Sequence, residues 1–296
     1  MSYLELMRNE VNDEFGFKNL QNAILNIAYD IDAFCNRFNI DYCLMGGSAL
    51  GALRHGGFIP WDDDMDFFMT SENYNVFREN FIKYGDKKKY YLQEWGTNEL
   101  ITMAKIRLNG TTYIESDLKN YNIHHGIYLD IFVLQVCPNY KIQQFNQFFW
   151  SKYVLMKGLA ARGYARKKGI VGFALKIMSL FPEYHLVNYG LRQVYKYNGR
   201  KTKYFSFFLG RAVFKKAIYR REWFEKTKYV NFENIKLKVP IGIEKFMATR
   251  FGNYKIIPSA DQIKSMQHAE YWNIDNDYSQ YIPNHTESLD DEKVLL

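Results

Sequence analysis

Between Gly46 and Met69 the chain reads GGSALGALRHGGFIPWDDDMDFFM, which sets Asp62, Asp63, Asp64 and Asp66 side by side between a glycine turn and an apolar run. Neighbouring carboxylates about 5 Å apart repel by roughly 3 kcal/mol at an effective dielectric of about 20, so the cluster calls for positive charge. If DMDFFM is a strand, Asp64, Asp66 and Phe68 share one face, while Met65, Phe67 and Met69 point the other way into a core. Two carboxylates on one rigid face can converge on a single divalent cation, and oxygen-only ligands favour Mg2+ or Mn2+ over zinc. A lone DxD is as easily an acidic surface turn, so its surroundings decide.

Upstream, Gly46-Gly47-Ser48 lies between a strand and a helix, where backbone N–H groups and the positive end of a helix suit a phosphate; the plainer alternative is Ser48 capping that helix. Asp130, in IYLDIFVL, is an acid amid apolar residues on a strand expected to be central, where an ionised carboxylate is costly without a cation or donors. Lys105 and Arg107, in AKIRL, share a strand face and project two cations toward an anion. The alternative for that pair is a solvated strand face.

These residues need elements to hold them. Leu20, Ile24, Ile27, Ile31, Phe34 and Phe38 recur at four- and three-residue spacing and predict an amphipathic helix over 17–38 that packs on a sheet. DYCLMGG reads as a strand, SALGALRH as a helix that Ser48 caps and Gly56 ends, and DMDFFM as a second strand, followed by a helix over 73–84. KYYLQEW, MAKIRLN and TTYIES read as strands, the last two joined into a hairpin by Asn109-Gly110. HGIYLDIFVL, apolar on both faces, belongs in the middle of the sheet. After Pro138 long basic, aromatic-rich segments with helical periodicity predict a mostly helical second half. The fold class is therefore α/β (α+β): a mixed sheet with flanking helices over 1–138, a mainly helical basic region over 139–275, and a polar tail over 276–296.

Composition sets the outer bounds. The chain has 296 residues, 47% of them hydrophobic, which is enough for a full core. Its net charge of +7 conceals an asymmetry: residues 151–220 hold 16 Lys and Arg against the single acid Glu183, leaving the rest of the chain at −8. No nucleic-acid motif accompanies that basic segment, and its basic residues alternate with Leu, Ile, Met, Phe and Tyr, the pattern of a surface lying on an anionic membrane. The longest apolar run, Ile170 to Phe181, carries Lys176 and falls short of the roughly 20 residues of a span. Cys35, Cys43 and Cys137 have no CxxC spacing and read as reduced, buried thiols. The acidic first residues show no export signal, so a cytoplasmic chain, peripheral on the membrane's inner face, is expected.

The run MGGSALGALRHGGFIPWDDDMDFFM, together with AKIRLNGTTY, GIYLDIFVL and more loosely VPIGIEKFMATRFGNYKIIP, resembles the LicD/fukutin family. The resemblance implies a nucleotidyltransferase-type fold that transfers a substituted phosphate, phosphocholine first among them, from CDP-choline or a related CDP-alcohol to a glycan acceptor, often lipid-linked, with release of CMP. It implies Asp64, Asp66 and Asp130 as catalytic and metal-binding acids, with Mg2+ or Mn2+. Asp130 is the expected base and Asp66 the alternative. Gly46, Gly47, Ser48, Arg54, Asp62, Lys105 and Arg107 are the expected substrate and phosphate contacts. Asp62 and Asp63 fit the acidic cluster as tuning or orienting groups, and His268 falls near a family-like terminal histidine, for which a structural role is expected. No cysteine cluster is present, so no zinc is expected. Two rivals remain: a nucleotidyltransferase that releases pyrophosphate, and a non-catalytic calcium-binding protein at a membrane or glycan surface.

Overall fold

The computed structural model describes residues 13–281 apart from 96, 98–100, 117, 162–168, 180–183 and 265. The first helix, α1 (Lys18–Arg37), buries Leu20, Ile24, Ile27 and Ile31 as their spacing predicts. Asp13 begins it by accepting the Lys18 N–H at 3.2 Å. Phe34 and Phe38 complete the stripe in an aromatic cluster, where Phe34 meets Phe77 and Phe81 edge-on.

The site-bearing elements follow in quick succession: β1 (Cys43–Leu44), α2 (Gly46–Arg54), β2 (Asp66–Thr70) and α3 (Ser71–Tyr84). Thr70 caps α3 by accepting the Asn73 N–H, which lets a helix begin directly at the end of a strand. After β3 (Tyr90–Gln93), β4 (Ala104–Leu108) and β5 (Thr112–Glu115) comes β6 (Tyr128–Cys137), the longest strand of the sheet. The strand order is β1-β2-β6-β4-β3, with β2 and β6 parallel and the other pairs antiparallel. Both faces of β6 are covered, so Leu129, Ile131 and Leu134 are buried together with Tyr128, as its unbroken apolar run implies.

Two expectations change here. The Asn109-Gly110 turn forms, with Gly110 at φ +75°, but β4 and β5 do not pair into a hairpin. β4 is taken by β3 and β6, while β5 departs to pair with a C-terminal strand, because β4 has its full complement of neighbours in the sheet. The second half is also less helical than its periodicity suggests. α4 (Lys141–Ala161), α5 (Ile170–Ser179) and α6 (Tyr184–Val194) do occur. Short strands then follow: β7 (Tyr204–Ser206), β8 (Ile218–Arg220), and the hairpin of β9 (Thr227–Phe232) with β10 (Ile235–Pro240). The chain continues through α7 (Ile243–Phe251), α8 (Ala260–Lys264) and β11 (Ala269–Asn273).

β7 pairs with the C-terminal end of β6, and Phe207, Phe224 and Phe246 pack around Phe68. One hydrophobic core thus runs through both halves of the chain, from Phe17 to Met247. The three cysteines are buried and unpaired. The segment expected to begin a loose tail is docked as far as 281: Thr112 donates to Asn276 O at 2.7 Å and Tyr278 packs on His124. The rest of that tail, and the basic run 162–168, lie outside the described residues. No helix among the described residues is long and apolar enough to cross a membrane.

Candidate functional site: an acidic cleft between a helix N-terminus and three strands

Strand register builds the site. Asp66 opposes Asp130 across the parallel β2/β6 pair, and Asp130 opposes Lys105 across β6/β4. The three side chains therefore line up on neighbouring strands. Lys105 Nζ lies 2.9 Å from Asp130 Oδ1 and 3.9 Å from Glu115 Oε1, and sits 3.4 Å from the centroid of the Tyr128 ring. Lys105 is the buried cation that Asp130 requires, and the aromatic face holds it in place.

The remaining acids are not neutralised in this way. Burial first, then the charges of Asp64 and Asp63, push the Asp62 carboxyl well above the carboxylate range. Asp66 is raised likewise by burial and by Asp64, Asp130 and Asp62. Asp64 is pushed up to about 6, burial and its acidic neighbours outweighing the help of His268. Asp130 is raised by burial against the opposing pull of Lys105.

The glycine pair explains how these groups fit. A Cβ on Gly47 would lie 2.7 Å from Asp62 Oδ2, and one on Gly46 would lie 3.1 Å from Asp66 Oδ2. Gly46 also has φ +55°, a conformation that suits glycine. The two carboxylates thus pack directly against the N-terminus of α2, whose first-turn N–H groups have no intrahelical acceptor. Ser48 is neither the cap nor solvent-facing. The helix starts two residues earlier, and the buried Ser48 Oγ accepts the Asp66 backbone N–H at 2.9 Å, which fixes where β2 begins.

Two of the expected phosphate contacts, Arg54 and Arg107, are buried and bonded within the protein. Arg54 is buried at the far end of α2 and donates to Tyr254 O at 3.0 Å and Ile256 O at 3.4 Å. Arg107 shares the Lys105 face, as alternation predicts, and lies 4.7 Å from the Tyr128 ring centroid. It donates to Gln93 Oε1 at 2.8 Å and Gly126 O at 2.9 Å, and is only 1% exposed. Both guanidiniums strap elements together, and both lend positive charge to the cleft, Arg54 to Asp62 and Arg107 to Asp130.

Asp63, expected to tune the approach turn, is a clamp. It is fully buried and accepts the backbone N–H groups of His268 at 2.7 Å and Ala269 at 2.8 Å, while His268 Nδ1 donates to its Oδ1 at 3.0 Å. That bond raises the His268 imidazole to about 9 against the cost of burial, so the ring is a cation near neutral pH. The same Nδ1 lies 3.5 Å from Asp64 Oδ2 and brings positive charge to the open side of the cleft. Nothing in the local sequence announces a contact across 205 residues.

Which group suits a cation can be read from the donors. Asp63, Asp64 and His268 have ligand atoms within 4.8 Å of one another. Asp63 already accepts from backbone and imidazole, however, and a protonated ring offers no lone pair. Asp64, Asp66 and Asp130 offer oxygen alone, and burial raises all three, with Asp130 also raising Asp64 and both of these raising Asp66. Within that set, Asp130 Oδ1 is buried and accepts no hydrogen bond of good geometry, even with Lys105 beside it. Such a donor set fits a hard divalent cation.

Known proteins agree with this picture. Residues 39–155 match the family described as LicD/FKTN/FKRP, nucleotidyltransferase domain. The chain is 27% identical over 255 residues, 82% of this chain and 92% of the relative, to the lipopolysaccharide cholinephosphotransferase LicD of Haemophilus influenzae. The stretch 39–155 contains all the acids of the cleft. Over that stretch the chain is similar to the LicD family's nucleotidyltransferase domain.

Proposed function

We propose that the protein is a divalent-cation-dependent phosphotransferase that moves a substituted phosphate, phosphocholine foremost, from a CDP-linked donor to a hydroxyl of a glycan and releases CMP. The observation that carries this reading is the convergence of Asp62, Asp64 and Asp66, all raised in pKa, beside a helix N-terminus and beside Asp130. The relative named as a lipopolysaccharide cholinephosphotransferase supports the choice of group and acceptor class.

Mg2+ or Mn2+ bound by Asp64, Asp66 and Asp130 supplies positive charge against the donor diphosphate and the departing CMP. The chain's own residues do the rest. Lys105 opposes the rise that burial imposes on Asp130, and the N-terminus of α2 at Gly46 and Gly47 would offer N–H groups to phosphate oxygens. Asp66 is the better base for the acceptor hydroxyl, because Asp130 is only 5% exposed and is paired with Lys105. His268, cationic beside Asp64, adds charge on the open side.

Incubation with a panel of CDP-alcohols and a glycan acceptor, with and without chelator, tests the reaction. CMP release that needs both the metal and the acceptor supports it. Pyrophosphate release would point to nucleotidyl transfer, and calcium-induced thermal stabilisation with no turnover would point to a binding protein.

A further inference from the structure

We propose that the outer face of α4, with the loop that precedes β8, is an interfacial docking surface for an anionic lipid bilayer. α4 is inside out for a helix of a soluble protein. Up to Ser151 its inward positions are polar: Gln144 donates to Pro138 O at 2.8 Å, Gln147 donates to Val136 O at 3.0 Å and Val194 O at 2.7 Å, and Ser151 is buried, whereas Val154, Gly158 and Ala160 form an ordinary inner face farther along. Its outward positions are apolar. Ile142, Phe145 and Phe149 recur at three- and four-residue spacing and are 81%, 58% and 61% exposed. The 211–216 loop extends this surface, since Phe145 stacks on Phe214 at 4.4 Å and the neighbouring Val213 is 63% exposed. Lys152 secures that loop to α4 by donating to Ala212 O at 3.3 Å.

Charge selects the occupant. Lys141, Arg211, Lys215 and Lys216 are exposed around this apolar surface. From 139 to 220 the sequence holds 17 Lys and Arg and one acid. A second copy would bring the same positive face and repel, and a nucleic acid would leave Ile142, Phe145 and Phe149 in water. Anionic headgroups over an acyl boundary satisfy both the cations and the apolar ridge, and the helix lies along the interface without crossing it.

Flotation of the full chain with phosphatidylcholine vesicles, with and without phosphatidylglycerol, at low and high salt, tests this. Binding is expected only with the anionic lipid and is expected to fall with salt. The double variant Ile142→Ser/Phe149→Ser should weaken it roughly tenfold or more, and Lys215→Glu/Lys216→Glu comparably. All four positions are exposed, and an unchanged thermal melt verifies that each variant folds. Absence of flotation with anionic vesicles overturns the proposal. So does flotation that ignores the serine variant, which would be charge adhesion alone, or a concentration-dependent dimer that the serine variant abolishes, which would make the face a self-interface. The assay reads no turnover, so its failure leaves the proposed reaction untouched.

Discussion

Asp64 and Asp66 carry a built-in conflict between stability and use. Their repulsion is only partly offset by His268 and Lys105, so Asp64→Asn or Asp66→Asn is expected to raise the melting temperature by about 2–4 °C per kcal/mol of strain removed. The same variants should lose at least about 100-fold in turnover, as expected when a group that handles transition-state charge is removed. Wild type should gain thermal stability on adding Mg2+ while the variants do not. Differential scanning fluorimetry and product assays read both halves. Lys105 behaves oppositely. Lys105→Met would strand Asp130, and a loss of about 3–5 kcal/mol in denaturant unfolding is expected. At this scale the apolar run after the acids and the apolar setting of Asp130 make them legible, although β2 begins only at Asp66, leaves Asp64 before it and buries Phe67, Phe68 and Met69 in succession. The bonding of Arg54 and Arg107 is not legible in the same way: their main-chain and glutamine acceptors belong to distant segments that composition does not reveal.

Among the elements, the turn at Asn109-Gly110 is instructive. Its local chemistry is that of a hairpin, yet β5 pairs with β11, and His124 holds the turn instead. His124 Nδ1 accepts the Gly126 N–H at 3.0 Å, which leaves the proton on Nε2 to donate to Asn109 Oδ1 at 3.0 Å. Burial and Arg107 press its pKa down to about 3 from an ordinary 6.5. A histidine held neutral in the fold takes its proton more readily when unfolded, so acid favours unfolding between those two values. The contribution of His124 is complete above about pH 6.5 and is lost as pH falls toward 3. His124→Gln should flatten that part of the stability profile relative to wild type, as measured by urea unfolding at stepped pH. α1 lies where its pattern puts it because one buried face imposes a single period, and β6 because burial on both faces leaves an unbroken apolar run. β7 and β8, at three residues each, are too short for any period to register, which is why the second half reads as more helical than it is.

For the whole molecule, the core does not respect the midpoint of the chain. Phe68 and Phe132 on the sheet are covered by Phe207, with Phe224 and Phe246 also around Phe68. A fragment ending at Pro138 would expose these rings, and it should bind a hydrophobic dye and lack the near-ultraviolet dichroism of a packed core. The Asp63 clamp has a consequence in time. Asp63 and His268 are 205 residues apart, and at about 5–20 residues per second a ribosome needs roughly 10–40 s to make the second after the first. During that interval the nascent chain carries the whole acidic cluster but not the imidazolium or the two amides that belong beside it. The cleft is thus charged first and closed last, and a ribosome that stalls before codon 268 releases a chain whose acids have no latch.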